Sequence, residues 1–313
     1  MRRIVITGAT GVIGMALINK CIEMGDEVLV LCNAQSARSK NIPKAANVRV
    51  VQCSMKDYAL FNPDALGVKT GYDVFYHFAW ACTSGAGRND LSAQEENIKY
   101  TLEAVKLASK LGCKTFVGAG SQAEYGRYEC DLNENMLLRP ENGYGAAKAA
   151  ASMMSRLLCN QLGIKHIWTR VLSVYGPYDG PNTMISSIVC KLLKNEDAPM
   201  TAGEQIWDYL YSDDAAKAFY LLSESGVDGE TYLIASGKSK SLIEYAKAIE
   251  KCVPSEGKII PGAVAYSDKQ VMHLGADISK LKKDTGFEPE VDFEEGIRRT
   301  AEYIKTIIGQ DIK

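Results

Sequence analysis

The chain begins with a β-branched run that leads into three glycines spaced for a tight turn. Gly8, Gly11 and Gly14 follow residues 3–7 and open a segment with helical periodicity. Gly8 permits the turn, Gly11 lets a phosphate approach the backbone, and Gly14 allows the helix to pack closely on the strand. Free amide N–H groups and the positive end of the helix dipole attract an anion there. The spacing predicts a strand–turn–helix unit that binds the pyrophosphate of a dinucleotide. This predicted cofactor loop also contains Thr10, Val12 and Ile13.

Short β-branched runs alternate with helix-period segments through the first half of the chain. Such alternation produces βαβ crossovers and a mostly parallel sheet, and the right-handed crossover rule favours a doubly wound sheet. The predicted fold class is therefore α/β, with a doubly wound parallel Rossmann sheet. The predicted strands are 3–7, 28–32, 48–52, 72–78, 115–117 and 166–172, and the predicted helices are 11–24, 97–111 and 144–162.

The rhythm changes after Leu172. Residues 175–182 carry turn chemistry throughout, which is typical of an excursion from the core. We expect a Rossmann domain formed by residues 1–175 plus about 206–236. A smaller, mostly C-terminal α+β substrate-binding domain, the lid, is expected from 176–205 and 237–313. Further helices are predicted over 184–194, 215–222 (capped by Asp213), 242–251, 278–284 and 293–308, with extended segments over 206–211 and 231–234.

Charge and cysteine usage limit the classes of partner. Lys plus Arg number 36 and Asp plus Glu number 38, which leaves a formal charge of −2. Binding to nucleic acid through phosphates needs a basic excess, and an anionic membrane needs a polybasic run, so we expect neither partner. The nine cysteines include no Cys-x-x-Cys pair, and we expect no metal site. Glycines interrupt the N-terminal apolar run, which argues against a signal peptide and favours a cytoplasmic protein.

The end of the second predicted strand selects between the two dinucleotides. Sites selective for NAD usually carry an acidic residue there, which binds the ribose 2′-hydroxyl. Here the strand ends in Cys32. The residues that follow include Asn33, Ser36, Arg38 and Lys40, which suit a 2′-phosphate. NADP(H) is therefore the predicted cofactor, and NAD is the alternative if this loop is only a solvated basic segment.

Tyr144 and Lys148 lie one turn apart on the same face of a predicted helix. Ligands of such folds collect at the carboxyl ends of the strands, and Ser121 follows the strand that precedes this helix. A free phenol titrates at about 10, which is too high for acid–base work at neutral pH. A neighbouring ammonium and the oxidised nicotinamide favour the phenolate and lower that pKa. We predict that Tyr144 exchanges a proton with a carbonyl oxygen, which Ser121 orients and polarises.

These motifs resemble those of the extended short-chain dehydrogenases/reductases, also called the NAD-dependent epimerase/dehydratase family. The resemblance covers nearly the whole chain, and the motifs at 7–14, 73–79, 120–126, 144–148, 170–177 and 207–214 follow the family's order. It implies Ser121, Tyr144 and Lys148 as catalytic residues, with Lys148 also bonding the nicotinamide ribose. It further implies a homodimer joined by a four-helix bundle of helices 97–111 and 144–162. The remaining residues assigned to the cofactor are Ser54, Met55, Phe78, Ala79, Trp80, Asn97 and Leu172.

Two departures from the family's pattern bear on the substrate. Family dehydratases carry Asp-Glu after the catalytic hydroxyl residue, where this chain has Gln122 and Ala123, so dehydration is disfavoured. Many members hold a nucleotide-sugar diphosphate with an arginine at the position of Trp207. A second arginine expected near residues 269–273 is also missing. The substrate residues are predicted to be Ser121, Gln122, Tyr144, Ser173, Thr183 and Trp207.

The leading interpretation is an NADPH-dependent reductase of a nucleotide-linked 4-keto-6-deoxysugar. A nucleotide-sugar 4-epimerase with bound NAD is the first alternative, because the same Tyr144 and Ser121 would serve it. A non-catalytic dinucleotide-sensing protein is an alternative of another class, disfavoured because Ser121, Tyr144 and Lys148 are all present. A reductase of a carbonyl that is not linked to a nucleotide is a further alternative.

Overall fold

A computed structural model describes residues 1–311. The strands are β1 (Arg3–Thr7), β2 (Glu27–Cys32), β3 (Val48–Gln52), β4 (Val74–His77), β5 (Thr115–Ser121), β6 (Lys165–Val171), β7 (Ser173–Tyr175), β8 (Ala198–Pro199), β9 (Ile206–Tyr211), β10 (Thr231–Ile234), β11 (Ser239–Ser241), β12 (Ile259–Ile260) and β13 (His273–Leu274). The helices are α1 (Val12–Glu23), α2 (Leu91–Lys110), α3 (Gly143–Leu162), α4 (Met184–Leu193), α5 (Ser212–Ser225), α6 (Leu242–Cys252), α7 (Ser279–Thr285) and α8 (Phe293–Asp311).

A seven-stranded parallel sheet forms the centre of the molecule, in the order β10-β6-β5-β4-β1-β2-β3. The chain runs outward from β1 to β2 and β3, and then returns to place β4 on the other side of β1. Ligands of doubly wound sheets bind where the strand order reverses, at the carboxyl ends of the strands. The ends of β1 and β4 therefore mark the candidate site.

Both faces of this sheet are covered by helices. Ile4 and Ile6 of β1 pack into a cluster on the face of α1 and α5, whereas Val5 packs into a second cluster on the face of α2. A strand buried on both faces reads as an uninterrupted apolar run, which is why the centre of β1 reads Ile-Val-Ile. α3 lies beside α2 on the second face.

A second, smaller sheet is built around β9. β9 pairs with β11 and β13, and its last residues pair with β7. α4, α6 and α8 pack against one another, with Ile188, Tyr245 and Ile297 buried in their cluster. β9 thus pairs with two strands of the predicted lid, β11 and β13, whereas α5 packs on α1 and β10 pairs with β6 of the large sheet. The division into two domains stays a prediction.

Three of the differences between predicted and observed element boundaries have an identifiable cause. α2 begins at Leu91 instead of residue 97, because Asp90 accepts a hydrogen bond from the Ala93 amide and caps the helix earlier. β5 continues to Ser121 through a glycine-rich run of low strand propensity. A Cβ at Gly118 would lie 2.4 Å from the Trp168 ring, so tertiary packing selects glycine there.

The third difference concerns the start of α5. Tyr211 occupies the N-cap position, and Asp213 lies inside the first turn, so the prediction that Asp213 caps this helix is wrong. The Asp213 carboxylate instead lies 3.3 Å from the Arg299 guanidinium on α8. Among residues 1–311, no helix is both long and apolar enough to cross a membrane.

Candidate active site

The glycine loop has the geometry that its spacing predicts. Gly8 has a φ of +68°, and a Cβ there would lie 2.4 Å from the Ala79 amide nitrogen at the end of β4. A Cβ at Gly14 would lie 2.6 Å from the Ala9 Cα, so α1 can approach the loop only with glycine there. At Gly11, the N-cap of α1, a Cβ would make only an ordinary contact of 3.9 Å with the Gly8 carbonyl oxygen, and no side chain caps the helix amides. The helix N-terminus is therefore open to an anion.

A cavity of about 1050 Å³ extends from this loop along the carboxyl ends of β1, β2 and β4. This volume and the uncapped α1 amides fit a dinucleotide. Nine predicted cofactor residues line the cavity: Gly8, Thr10, Asn33, Ser36, Ser54, Met55, Phe78, Ala79 and Trp80. The lining also contains residues that sequence reasoning missed, among them Gln35, Tyr58, Cys82, Glu96 and Tyr100.

The other predicted cofactor residues lie outside this lining. Four of them belong to the loop and the first turn of α1 and do not line the cavity: Gly11, Val12, Ile13 and Gly14. Asn97 is buried and fastens the segment after β4, because its amide both accepts a hydrogen bond from the Ala81 N–H and donates one to the Ala81 carbonyl. Leu172 is buried after β6. The contacts of these residues with a cofactor stay a prediction.

Ser121, Tyr144 and Lys148 come together as predicted from their positions after β5 and on α3. The Lys148 Nζ lies 5.8 Å from the centre of the Tyr144 ring and donates a hydrogen bond to the Ala119 carbonyl on β5. The Ser121 Oγ accepts a hydrogen bond from the Ala123 amide at 3.2 Å, and the Ser121 side chain lowers the pKa of the Tyr144 phenol. Their joint action on one carbonyl oxygen stays a prediction.

The pKa of the Tyr144 phenol differs from the sequence-based expectation. Burial raises it, and this effect outweighs the Ser121 hydrogen bond and the charge of the Arg88 guanidinium, 4.4 Å from the ring centre, which both lower it. Burial also lowers the pKa of Lys148 to about 7, against the opposing charge of Glu124. In the protein alone, Tyr144 is therefore a protonated donor, and the expected lowering by Lys148 is not found.

Trp80 contributes a contact that the sequence did not reveal. Its indole ring lies edge-on to Tyr144 with the centres 6.1 Å apart, and the Lys148 ammonium sits 3.7 Å above the indole centre. The Trp80 Nε1 donates a hydrogen bond of 2.9 Å to the buried Gln94 on α2. Trp80 thus links the cofactor cavity to the catalytic lysine.

The end of β2 carries no carboxylate. Cys32 is buried, and burial raises the pKa of its thiol. A second cavity of about 580 Å³ adjoins the first at Cys32 and Asn33, and Lys40 and Lys44 line it. Arg38 lines neither cavity. Its guanidinium instead donates a hydrogen bond of 3.5 Å to the Tyr178 carbonyl of the lid.

The predicted substrate residues lie on the lid side of β5 and β6. The Trp207 Nε1 donates a hydrogen bond of 2.7 Å to the Ser173 Oγ, so these two residues of β9 and β7 form one unit. Thr183 precedes α4, and its hydroxyl donates to the Asp179 carboxylate at 2.8 Å. Gln122 is partly exposed in the turn after Ser121. In residues 1–311, no group of three or more His, Cys, Asp or Glu side chains is placed to hold a metal ion.

Comparison with known proteins identifies the family. The sequence model of the NAD dependent epimerase/dehydratase family matches residues 4–235. The chain belongs to this family. It is therefore an NAD(P)-dependent enzyme of the extended short-chain dehydrogenase/reductase type, as the motifs indicated.

Individual family members share the fold over the full length. The chain is 30% identical over 196 residues to a dTDP-glucose 4,6-dehydratase from Xanthomonas campestris, which covers 60% of this chain and 55% of that protein. It thus spans about half the length of that relative. A UDP-glucose 4-epimerase from Thermotoga maritima, solved with UDP-glucose, is 25% identical, covers 98% of this chain and 99% of its own, and has a TM-score of 0.83.

A second similar structure supports the fold alone. It is a UDP-N-acetylglucosamine 4-epimerase from Methanobrevibacter ruminantium, 24% identical over 99% of each chain, with a TM-score of 0.87. These similarities and the seven-stranded parallel sheet confirm the predicted Rossmann fold.

Proposed function

We propose that this family member is an NADPH-dependent reductase of a nucleotide-linked 4-keto-6-deoxysugar. The observation that carries the proposal is the end of β2, where Cys32 replaces a carboxylate and Lys40 and Lys44 line the adjoining cavity. This arrangement suits a 2′-phosphate and disfavours a bare ribose 2′-hydroxyl. A reductase consumes its reduced cofactor in each turnover, whereas an epimerase regenerates it.

The catalytic residues support proton donation to a carbonyl. The bound dinucleotide supplies the hydride that the carbonyl carbon accepts. Tyr144, protonated because burial raises its pKa, donates its phenolic proton to the carbonyl oxygen. The Ser121 hydroxyl donates a hydrogen bond to the same oxygen and polarises it. Lys148, one turn from Tyr144, stabilises the phenolate that remains.

The surroundings of Ser121 disfavour the elimination chemistry of a dehydratase. Gln122 and Ala123 provide no acid or base, and the nearest carboxylate in the turn, Glu124, is fully buried and pairs with Arg170 at 2.8 Å. Ser173, Thr183 and Trp207 are proposed to hold the sugar and its diphosphate from the lid side. The nucleotide-sugar class is supported by the relatives of the chain, such as the dTDP-glucose 4,6-dehydratase.

A nucleotide-sugar 4-epimerase is the second candidate. The observation that favours it is the Thermotoga maritima UDP-glucose 4-epimerase, which matches over nearly the whole chain. A Thermus thermophilus UDP-glucose 4-epimerase was solved with NAD. For such an enzyme, NAD would be the cofactor here.

One assay separates the two candidates. Purified protein is incubated with NADPH and dTDP- or UDP-4-keto-6-deoxyglucose, and the absorbance of the reduced nicotinamide is followed. A reductase oxidises one NADPH for each product formed, and Tyr144→Phe abolishes most of this signal. Interconversion of UDP-glucose and UDP-galactose without added cofactor, in the absence of NADPH oxidation, establishes the epimerase instead.

The assembly and location are part of the same proposal. Met153, Met154 and Leu157 form an exposed apolar face on α3, which suits the homodimer that the family resemblance implies. The nine cysteines are free thiols, as is usual in the reducing cytoplasm. We propose a cytoplasmic homodimer.

A further inference from the structure

A carboxylate is completely buried in the turn that follows the catalytic serine. Glu124 is 0% exposed, and buried charges persist in proteins only when they are paired and hydrogen-bonded. Three donors meet this carboxylate. The Ser121 amide lies at 2.9 Å, the Trp168 Nε1 at 3.1 Å and the Arg170 Nε at 2.8 Å.

The large sheet is built to receive this carboxylate. Gly120 of β5 pairs in register with Arg170 of β6, which brings the guanidinium to the turn. A Cβ at Gly120 would lie 2.2 Å from the Glu124 Oε1, so only glycine leaves room. The Arg170 Nη1 donates a second hydrogen bond, to the Tyr125 hydroxyl at 2.8 Å. A well-packed apolar pair often stabilises a core as well as a buried ion pair does, so stability alone does not account for this arrangement.

The carboxylate acts directly on the backbone of Ser121. It accepts the Ser121 N–H while the Ser121 side chain accepts the Glu124 N–H, and these two bonds form a capping box. The Ser121 Oγ also accepts the Ala123 N–H at 3.2 Å. With its oxygen held as an acceptor by Ala123, the serine hydroxyl keeps its proton for a partner on the opposite side. That partner is the Tyr144 phenol or the substrate oxygen.

We propose that Glu124, held in place by Arg170, is a positioning residue that orients the Ser121 hydroxyl toward the reacting carbonyl oxygen. We propose also that its negative charge stabilises the ammonium of Lys148. This inference rests on the proposed carbonyl chemistry. It assigns a task to Glu124 and Arg170 that a purely structural ion pair would not have.

The charge of Glu124 matters because Lys148 is buried. Desolvation lowers the pKa of Lys148 to about 7, and Glu124 is the charge that raises it. Removing that charge lowers the pKa further and leaves less Lys148 protonated at neutral pH. The other charged or titratable groups near Lys148 and Tyr144 are Tyr144 itself on α3, His77 on β4 and Arg88 before α2. Arg170 on β6 faces Glu124 itself, at 2.8 Å.

The test compares Glu124→Gln with the double variant Glu124→Gln/Arg170→Gln. The single variant leaves Arg170 buried without its counter-charge and can fail to fold, whereas the double variant restores a neutral hydrogen-bonded pair. Glu141→Gln is the matched control, because Glu141 pairs with Arg127 at 2.8 Å on the exposed surface after the same turn. All are expressed as full chains and assayed with NADPH and a nucleotide-linked 4-keto-6-deoxysugar.

We expect the folded double variant to lose about 10- to 100-fold in kcat, the range for a small misplacement of a reacting group, with KM nearly unchanged. As the pH rises, the double variant loses activity at a lower pH than the wild type, because its Lys148 has the lower pKa. Glu141→Gln keeps the wild-type kcat and pH profile. Wild-type kcat and pH profile in the double variant would show that the ion pair is only structural and overturn the inference.

A second readout keeps this inference separate from the proposed substrate. The Lys148 side chain is followed by NMR in the NADPH-bound protein over a range of pH, with its signal assigned by loss in Lys148→Met. We expect the Lys148 pKa to fall in the double variant and to stay in Glu141→Gln. If the wild type reduces no keto-sugar, this titration still decides the charge effect, and an unchanged Lys148 pKa overturns it.

Discussion

The ammonium of Lys148 lies 3.7 Å above the centre of the Trp80 indole ring. Lys148 is buried on α3, while Trp80 follows β4 and lines the cofactor cavity. The face of an indole attracts a cation most strongly when water is excluded. The contact therefore favours the charged form of a lysine whose pKa burial lowers to about 7.

Replacing Trp80 is expected to shift this equilibrium. A desolvated cation–π contact is worth about 1–2 kcal/mol, so Trp80→Leu lowers the Lys148 pKa by roughly one unit. A lower pKa leaves less Lys148 charged at neutral pH. As the pH rises, binding of the anionic dinucleotide therefore begins to weaken at a lower pH in the variant than in the wild type. NMR titration of Lys148 and the pH dependence of the NADPH Kd measure both effects. Trp80→Phe, which keeps a ring face, is the control, and an unchanged titration in Trp80→Leu contradicts the assignment.

Tyr144→Phe tests the proton donor. The variant keeps the ring between Trp80 and Arg88 but removes the hydroxyl, so kcat falls by about 10²- to 10⁴-fold while the cofactor Kd stays nearly constant. Steady-state kinetics and fluorescence titration with NADPH give the two values. Tyr128→Phe is the control, since its hydroxyl donates only to the Leu137 carbonyl. More than about a tenth of wild-type activity in Tyr144→Phe, a loss of under ~1.4 kcal/mol, would exclude this role.

Cofactor choice tests the end of β2. We expect wild-type protein to bind NADPH more tightly than NADH, because charged lysines beside Cys32 suit the 2′-phosphate. Lys40→Ala/Lys44→Ala removes two cations and is expected to weaken NADPH binding by about 10- to 100-fold, with little effect on NADH binding. This range follows because hydrogen bonds to a charged group contribute about 1.5–3 kcal/mol. Isothermal titration calorimetry gives the four Kd values. Lys20→Ala on α1 changes neither, and equal affinity of the wild type for both dinucleotides would sink the NADP assignment.

The exposed face of α3 tests the assembly. Met153 and Leu157 are 54% and 59% exposed, and Met153→Glu/Leu157→Glu places charges where a second copy would pack. We expect the wild type to run as a dimer and the variant as a monomer in light scattering after size exclusion. Met24→Glu, equally exposed at the end of α1, leaves the dimer intact. A monomeric wild type at all concentrations tested would contradict the proposal.

Much of the fold and of the catalytic set could be predicted from local patterns. Gly8, Gly11 and Gly14 require a turn whose geometry lies within one stretch of chain, and the helical spacing of Tyr144 and Lys148 places both on one face whatever surrounds them. The apolar runs of the strands reflect burial on both faces of a parallel sheet. Each of these features is a property of residues that are close together in the chain, so it could be predicted before the structure was known.

The contacts between distant segments could not be predicted without the tertiary structure. Trp80 meets Lys148, Glu124 meets Arg170, and Arg38 faces the lid instead of the cavity at Cys32. The first two depend on which strands are neighbours and in which register, as in the pairing of Gly120 with Arg170, and no local pattern encodes that register. The pKa of Tyr144 follows the same rule, because desolvation is summed over all the segments that surround the phenol, and it outweighs the lowering by Ser121 and by the Arg88 charge.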